Sequence, residues 1–191
     1  MKKSISIKSK IEAAELIKVL PFKKEIRKTE PHKHNSYFEI IYLRKGSGCH
    51  TIDHTPFPID PPTLFFVRKE QVHHWDITDT PDGYVLLLKK GFVDNSIDGE
   101  LKSLLSKLSG LTCIHLRETE SIGTLFNLLT KEKDFTVTEG LLKALFAKIL
   151  IAAKPLVIKT NKTDDIIALL RELLNQTNDL QNNVAYYAEK L

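Results

Sequence analysis

The sequence predicts a mainly β domain, a barrel or sandwich, followed by a set of helices. Three observations carry this. Up to about residue 95, short apolar runs alternate with turn signals at roughly 8–12-residue spacing. Beyond that point the apolar positions recur at helical spacing. The chain has 191 residues, 42% hydrophobic and 27% charged, and at this size roughly 70% of the unfolded surface can be buried, enough for one real core.

The elements follow in order. Tyr37 to Leu43 is aromatic and β-branched, and Gly46-Ser47-Gly48 then predicts a hairpin-type turn into His50-Thr51-Ile52. Pro56, Pro58, Pro61 and Pro62 cut the next stretch into turns and edge pieces. Thr63 to Val67 and Val72 to Ile77 are compact strand-like runs, and Thr80-Pro81-Asp82-Gly83 is a turn leading into Tyr84 to Leu88. Leu101, Leu104, Leu105 and Leu108 then fit a helix, and Thr119 precedes another through Ile122, Leu125, Phe126 and Leu129. Thr138 is placed as the N-cap of a helix over Leu141 to Ala153, which Pro155 ends. That helix carries Leu142, Leu145, Phe146, Ile149 and Leu150 over more than one face.

Lys159-Thr160-Asn161-Lys162 is polar and reads as a linker. Thr163, with Asp164 and Asp165 behind it, caps a helix striped by Ile166, Leu169, Leu170, Leu173 and Leu174. A last helix opens at Asn182 or Asn183 and runs into Leu191. The expected division is a barrel over 1–95, helices packed on it over 96–158, a linker over 159–163 and a final helical piece over 164–191. Because that last helix has only begun, a longer parent protein is expected.

Composition excludes several classes. Cys49 and Cys113 are far apart and form no CxxC or zinc-finger spacing, so a disulfide scaffold is ruled out and a reducing cytoplasm suits the chain. The longest apolar stretch, Leu141 to Ile158, is broken by Lys143, Lys148 and Lys154, so no membrane partner is expected. Lys8, Lys10 and Glu12 interrupt the N-terminus where a signal peptide needs an apolar run. A net charge of +4, from 28 basic and 24 acidic residues, permits an anionic partner without demanding one. Phosphate-cradling glycine loops, GxSxG and HExxH are all missing from the sequence. His50 and His115 stand alone and read as ordinary polar positions.

The chemistry concentrates in His32, His34 and Glu39, with Gly46 following. Histidines at i and i+2 share one side of an extended chain, and Glu39 shares a strand face with Tyr37, Ile41 and Leu43. Two imidazoles and a carboxylate are ligands for Zn, Fe, Mn or Ni. His73 is the natural further ligand, with His74 as the alternative after a one-residue register shift. The same histidines also fit a metal-free barrel mouth in which they hydrogen-bond locally. Likewise Tyr37, Ile41, Leu43, Phe65 and Trp75 fit either a filled core or the lining of a pocket.

His32, His34, Glu39 and Gly46 resemble the first motif of the cupin barrels. The second motif is incomplete: Pro61-Pro62 and His73 are present, but the usual glycine and asparagine are not. Tyr37 to Gly48, Pro61 to Val67 and Gln71 to Trp75 together look more like the regulatory half of AraC-type transcription regulators. The resemblance implies a cupin-like barrel (a double-stranded β-helix or jelly roll), a helical dimerisation segment, and the start of a helix-turn-helix domain near Ala188. It implies a homodimer with Leu142, Leu145, Phe146, Ile149 and Leu150 at the interface. It implies a small-molecule effector held by His32, His34, Tyr37, Glu39, Ile41, His73 and Trp75. DNA would be bound only through a C-terminal domain of which this chain lacks the recognition helix, and no catalytic residue is implied. The rival expectation is a stand-alone metal-dependent cupin enzyme, an oxygenase or isomerase, with metal on His32, His34, Glu39 and His73.

Overall fold

A computed structural model describes residues 5–117 and 120–153. The strands are β1 (Ser6–Ile7), β2 (Ile17–Pro21), β3 (His32–Lys33), β4 (Tyr37–Lys45), β5 (Gly48–Ile52), β6 (Thr55–Pro58), β7 (Thr63–Val67), β8 (His73–Ile77) and β9 (Asp82–Lys89). Then come α1 (Lys90–Asn95), α2 (Gly99–Ser109), β10 (Cys113–His115), α3 (Glu120–Leu129) and α4 (Phe135–Ala152). The protein is thus a mainly β, cupin-like barrel with helices following it. Thr119, Pro155, the linker at 159–163 and the helices expected over 164–191 lie outside the described residues.

The strands form two five-stranded sheets, ordered β1-β3-β8-β5-β6 and β10-β7-β4-β9-β2. Inward-facing side chains from both meet in one apolar cluster that includes Ile41, Leu43 and Phe65 from one sheet and Ile52, Trp75 and Ile77 from the other. The outer face of the second sheet is apolar as well. Ile40, Tyr42, Leu64, Phe66, Leu86 and Leu88 pack there against α2, α3 and α4, with the Tyr42 and Phe126 rings stacked 5.4 Å apart. β4 is therefore buried on both faces, which is why Tyr37 to Leu43 reads as a nearly continuous apolar run broken inside the barrel only at Glu39.

Four features differ from the sequence-based expectation. First, Gly46-Ser47-Gly48 does not close a hairpin. β4 and β5 belong to different sheets, and the chain crosses between them here. Both glycines have positive φ, 121° and 120°, and a Cβ on Gly48 would lie 2.2 Å from the Asp76 carbonyl oxygen. The tight hairpin is instead β5–β6, turned by Asp53 and His54 at φ 47° and 70°.

Second, β10 joins the second sheet from within the segment expected to be helical, pairing Cys113 with Phe65. Third, α4 starts at Phe135 and not near Leu141. Asp134 is its N-cap, accepting from the Val137 amide, while Thr138 lies inside the first turn and donates to the Asp134 carbonyl. Fourth, Leu142, Leu145, Phe146 and Ile149 are completely buried within the chain's own core, against the sheet and the other helices. They are not available to a partner; of the five expected interface residues only Leu150 is partly exposed. No helix among the described residues is long and apolar enough to cross a membrane.

Candidate functional site

One end of the barrel interior is polar. β3 brings His32 opposite His73 of β8 in direct register, and His34 follows just beyond β3. β4 contributes Tyr37 and Glu39 from the facing sheet by strand alternation. His32, His34, Glu39, His50 and His73 are the buried histidines and carboxylate among the described residues, each at most 2% exposed. Their rings crowd together: His32 and His73 are 4.4 Å apart between centroids, His34 and His73 5.1 Å.

The proton positions follow from the partners. His32 Nδ1 lies 2.8 Å from the Glu30 carbonyl oxygen and His34 Nδ1 lies 2.7 Å from that of Lys8. A carbonyl oxygen only accepts, so both rings carry a proton on Nδ1. His34 Nε2 then faces Glu39 Oε2 at 2.9 Å and His73 Nε2 at 3.0 Å. Glu39 Oε2 is buried, and these ring nitrogens are what it faces. Its other oxygen, Oε1, is held by the Lys10 ammonium at 2.7 Å.

Burial lowers the His32 pKa to about 4 and the His73 pKa to about 3, and it holds His50 well below the usual histidine value. These rings are neutral at physiological pH. Burial also opposes ionisation of Glu39, but the Lys10 ammonium, followed by His34 and His73, outweighs it and holds the carboxyl below its ordinary range. The result is a carboxylate and several imidazole rings gathered around one small volume. His32, His34 and His73 offer ligand atoms all within 4.8 Å of one another, so three buried histidines can bind a metal ion.

Of the residues expected at the site, His32, His34, Tyr37, Glu39 and His73 are brought together. Tyr37 Oη sits 2.7 Å from His34 Nδ1. Ile41 and Trp75 lie deeper, in the apolar half of the interior, and His74 is left out of the cluster, half-buried on the other side of β8. Two participants had no place in the sequence reading. His50 Nε2 lies 2.9 Å from His73 Nδ1, and its ring stacks on Trp75 at 3.6 Å. The parity His50, Ile52 on β5 would have exposed it, had the partner strand been known. Lys10 had no local signal, lying 29 residues from Glu39. Cys113 is buried and its thiol pushed up to about 12, which keeps it protonated. A shallow cleft of ≈ 180 Å³ between β2 and the α3–α4 region contains none of these groups.

The family model described as the AraC-like ligand binding domain matches residues 25–130. No curated protein matches this chain. Solved structures with similar folds include a predicted oxalate decarboxylase from Thermotoga maritima, 22% identical with TM-score 0.29, over 32% of this chain and 55% of that one. A cupin protein from Bacteroides fragilis aligns at 17% identity and TM-score 0.32, over 44% of this chain and 69% of its own. Unsaturated fatty acid-bound ToxT from Vibrio cholerae aligns at 17% identity and TM-score 0.40, over 92% of this chain and 68% of its own.

Proposed function

The chain belongs to the family of AraC-like ligand-binding domains, and from that premise we propose that it is the effector-sensing part of a cytoplasmic transcription regulator. The observation that carries the reading is the buried polar end of the barrel, where Glu39 and three buried histidines converge inside the matched region. Such a cluster is costly unless something satisfies it, and a bound ligand does so. The effector is a small molecule taken up at this end. Its binding favours one of two arrangements of barrel and helices, and only that difference reaches a helix-turn-helix domain and its DNA.

The regulator acts as a homodimer through its helical segment. With the inner face of α4 buried in its own core, the face left for a second copy carries Val137, at 48% exposure, and Ile151, at 77%. The test is the DNA affinity of the intact regulator, by fluorescence anisotropy, with and without ligands that stabilise the barrel. A change of about 5-fold or more is expected. An affinity that no stabilising ligand alters contradicts the sensor reading.

The histidine–carboxylate set also favours a second reading, a metal-dependent cupin enzyme. His32, His34, His73 and Glu39 fit a divalent ion such as Zn, Fe, Mn or Ni, because the three imidazoles offer ligand atoms within 4.8 Å of one another and the Glu39 carboxylate lies 2.9 Å from His34 Nε2. A bound ion would supply Lewis acidity. The chain's own residues hold the ligands in place: the Glu30 and Lys8 carbonyls orient His32 and His34, and His50 orients His73. Metal-dependent turnover of an organic substrate, abolished in His34→Ala, would establish this reading over the first.

A further inference from the structure

We propose that the free edge of β2, with the cleft beside it, is a docking site for an extended, acidic segment of a partner protein, which adds to the second sheet as a further strand. The site is separate from the polar end of the barrel, and the proposal holds whatever that end binds. Three observations carry it.

The first is the backbone. β2 is the last strand of its sheet and pairs only with β9. In an antiparallel pair, alternate residues turn their N–H and C=O groups toward the partner strand. The Leu16 carbonyl accepts from the Lys89 amide at 2.9 Å, and the Phe22 amide donates to the Gly83 carbonyl at 2.9 Å. Counting by two from these bonds turns Lys18 and Leu20 toward β9 as well. Ile17 and Val19 are therefore turned outward, and their amides and carbonyls meet no partner among the described residues. Their donors and acceptors face away from the sheet at the spacing of a ladder. Pro21 has no N–H to offer and ends it. The other edges are protected. β6 carries Pro56 and Pro58, and β10 is flanked by the end of α4, where Ala153 bridges Leu116 and the Arg117 amide donates to the Ala152 carbonyl at 2.8 Å. β1 is only two residues long.

The second is the cleft of ≈ 180 Å³, which is lined on one side by Ile17 to Leu20 and on the other by Leu129, Thr130, Lys133 and Thr138. An open edge strand beside a helical wall takes a peptide by strand addition: the ladder supplies affinity and the wall supplies side-chain preference. Leu20 is 43% exposed here. With Leu129 it offers an apolar contact to one side chain of the guest.

The third is charge. Four charged side chains line the cleft, Glu15, Lys18, Glu132 and Lys133. Three are committed. Glu15 Oε2 accepts from the Lys18 ammonium at 3.3 Å and from the Glu12 amide at 3.0 Å. Glu132 Oε1 accepts from the Lys133 and Asp134 amides at 2.7 and 2.8 Å. The Lys133 ammonium is exposed and has no carboxylate partner among the described residues. A carboxylate on the guest complements it. A second copy of this chain fits less well. The two-fold register that uses both Ile17 and Val19 centres on Lys18 and sets the two Lys18 side chains directly opposite, like charges on one face. A lysine in that position is how a sheet edge discourages pairing with its own copy.

The experiment uses the full chain and short fluorescein-labelled peptides of alternating valine and threonine, with aspartate or lysine placed at each position in turn. Binding is read by anisotropy and amide exchange of the chain by NMR. Expected are micromolar binding of aspartate peptides and slower exchange at the Ile17 and Val19 amides in the complex. N-methylation of the peptide amides that face β2 should weaken binding about tenfold or more, and methylation of the alternate amides should cost little. Lys133→Glu, an exposed change, should weaken the aspartate peptides about threefold and favour the lysine ones. A chain that binds none of the peptides overturns the proposal. Binding that leaves the Ile17 and Val19 amides unprotected, or that ignores which peptide amides are methylated, overturns strand addition at β2. Protection of these amides without peptide, rising with chain concentration, makes the occupant a second copy and overturns the partner segment. Equal affinity for aspartate and lysine peptides overturns the acidic preference.

Discussion

His34 shows how much one side chain can be asked to do. Its Nδ1 is bound to the Lys8 carbonyl and touches Tyr37 Oη, while its Nε2 meets both Glu39 and His73. The sequence carried His32, His34, Glu39 and His73 plainly, because i, i+2 spacing and strand parity are local properties. His50 and Lys10 were invisible, since their roles depend on which strands pair and on where an N-terminal segment lies. The buried rings also predict a pH response in the metal-free protein. The folded pKa of about 4 for His32 and about 3 for His73 lies below the ordinary value of 6.5. The unfolded chain therefore binds protons first as the pH falls. Stability is complete above pH 6.5 and declines below it, until pH 4 for His32 and pH 3 for His73. Glu39, with its lowered pKa, adds a loss of the same sign below its ordinary value of 4.5. Urea midpoints measured from pH 8 to pH 4 should fall steadily below pH 6.5. A flat profile would mean the rings are solvated.

At the scale of elements, periodicity identified the strands at Tyr37 to Leu43, Thr63 to Val67 and Tyr84 to Leu88, and it identified three of the helices. It could not show that β4 and β5 part into different sheets, because two glycines at positive φ serve a crossing as well as a hairpin. It also could not tell a helix shared with a partner from one buried in its own chain, since both are apolar over a wide face. α4 is the second kind on its inner side. Leu145→Ala should therefore cost about 2–5 kcal/mol of stability, a cavity effect, with the oligomeric state unchanged in the folded fraction. Ile151→Glu, on the outer face, should leave stability within about 0.5 kcal/mol and shift a dimer toward monomer. Sedimentation equilibrium and denaturant melts on the two variants separate the cases. The opposite pattern, with Leu145→Ala dissociating a stable chain, would show α4 to be an interface helix.

For the whole molecule, the architecture divides its labour. One sheet faces the helices with its outer side, and the interior is apolar at one end and polar at the other. The polar end is the part of the core that packing alone does not satisfy, with His50 Nδ1 lacking a partner. A ligand there is coupled to folding, because a molecule that binds only the native state stabilises it by mass action. The fold class was legible from strand spacing and the change of period, and the family from the residues around Glu39. What the sequence withheld was the filling of the barrel, which depends on how the side chains of two sheets meet. The most direct test is thermal unfolding of the metal-stripped chain against a panel of divalent metal ions, sugars and fatty acids, in parallel with His34→Ala. At 100-fold excess over Kd, a ligand at this site adds about 2.7 kcal/mol, or about 5–10 °C in Tm for a chain of this size. A shift with a member of the panel in the wild type, absent from folded His34→Ala, is the predicted result. A wild type that no member of the panel stabilises, or a shift that His34→Ala retains in full, would contradict a sensing site at the polar end of the barrel.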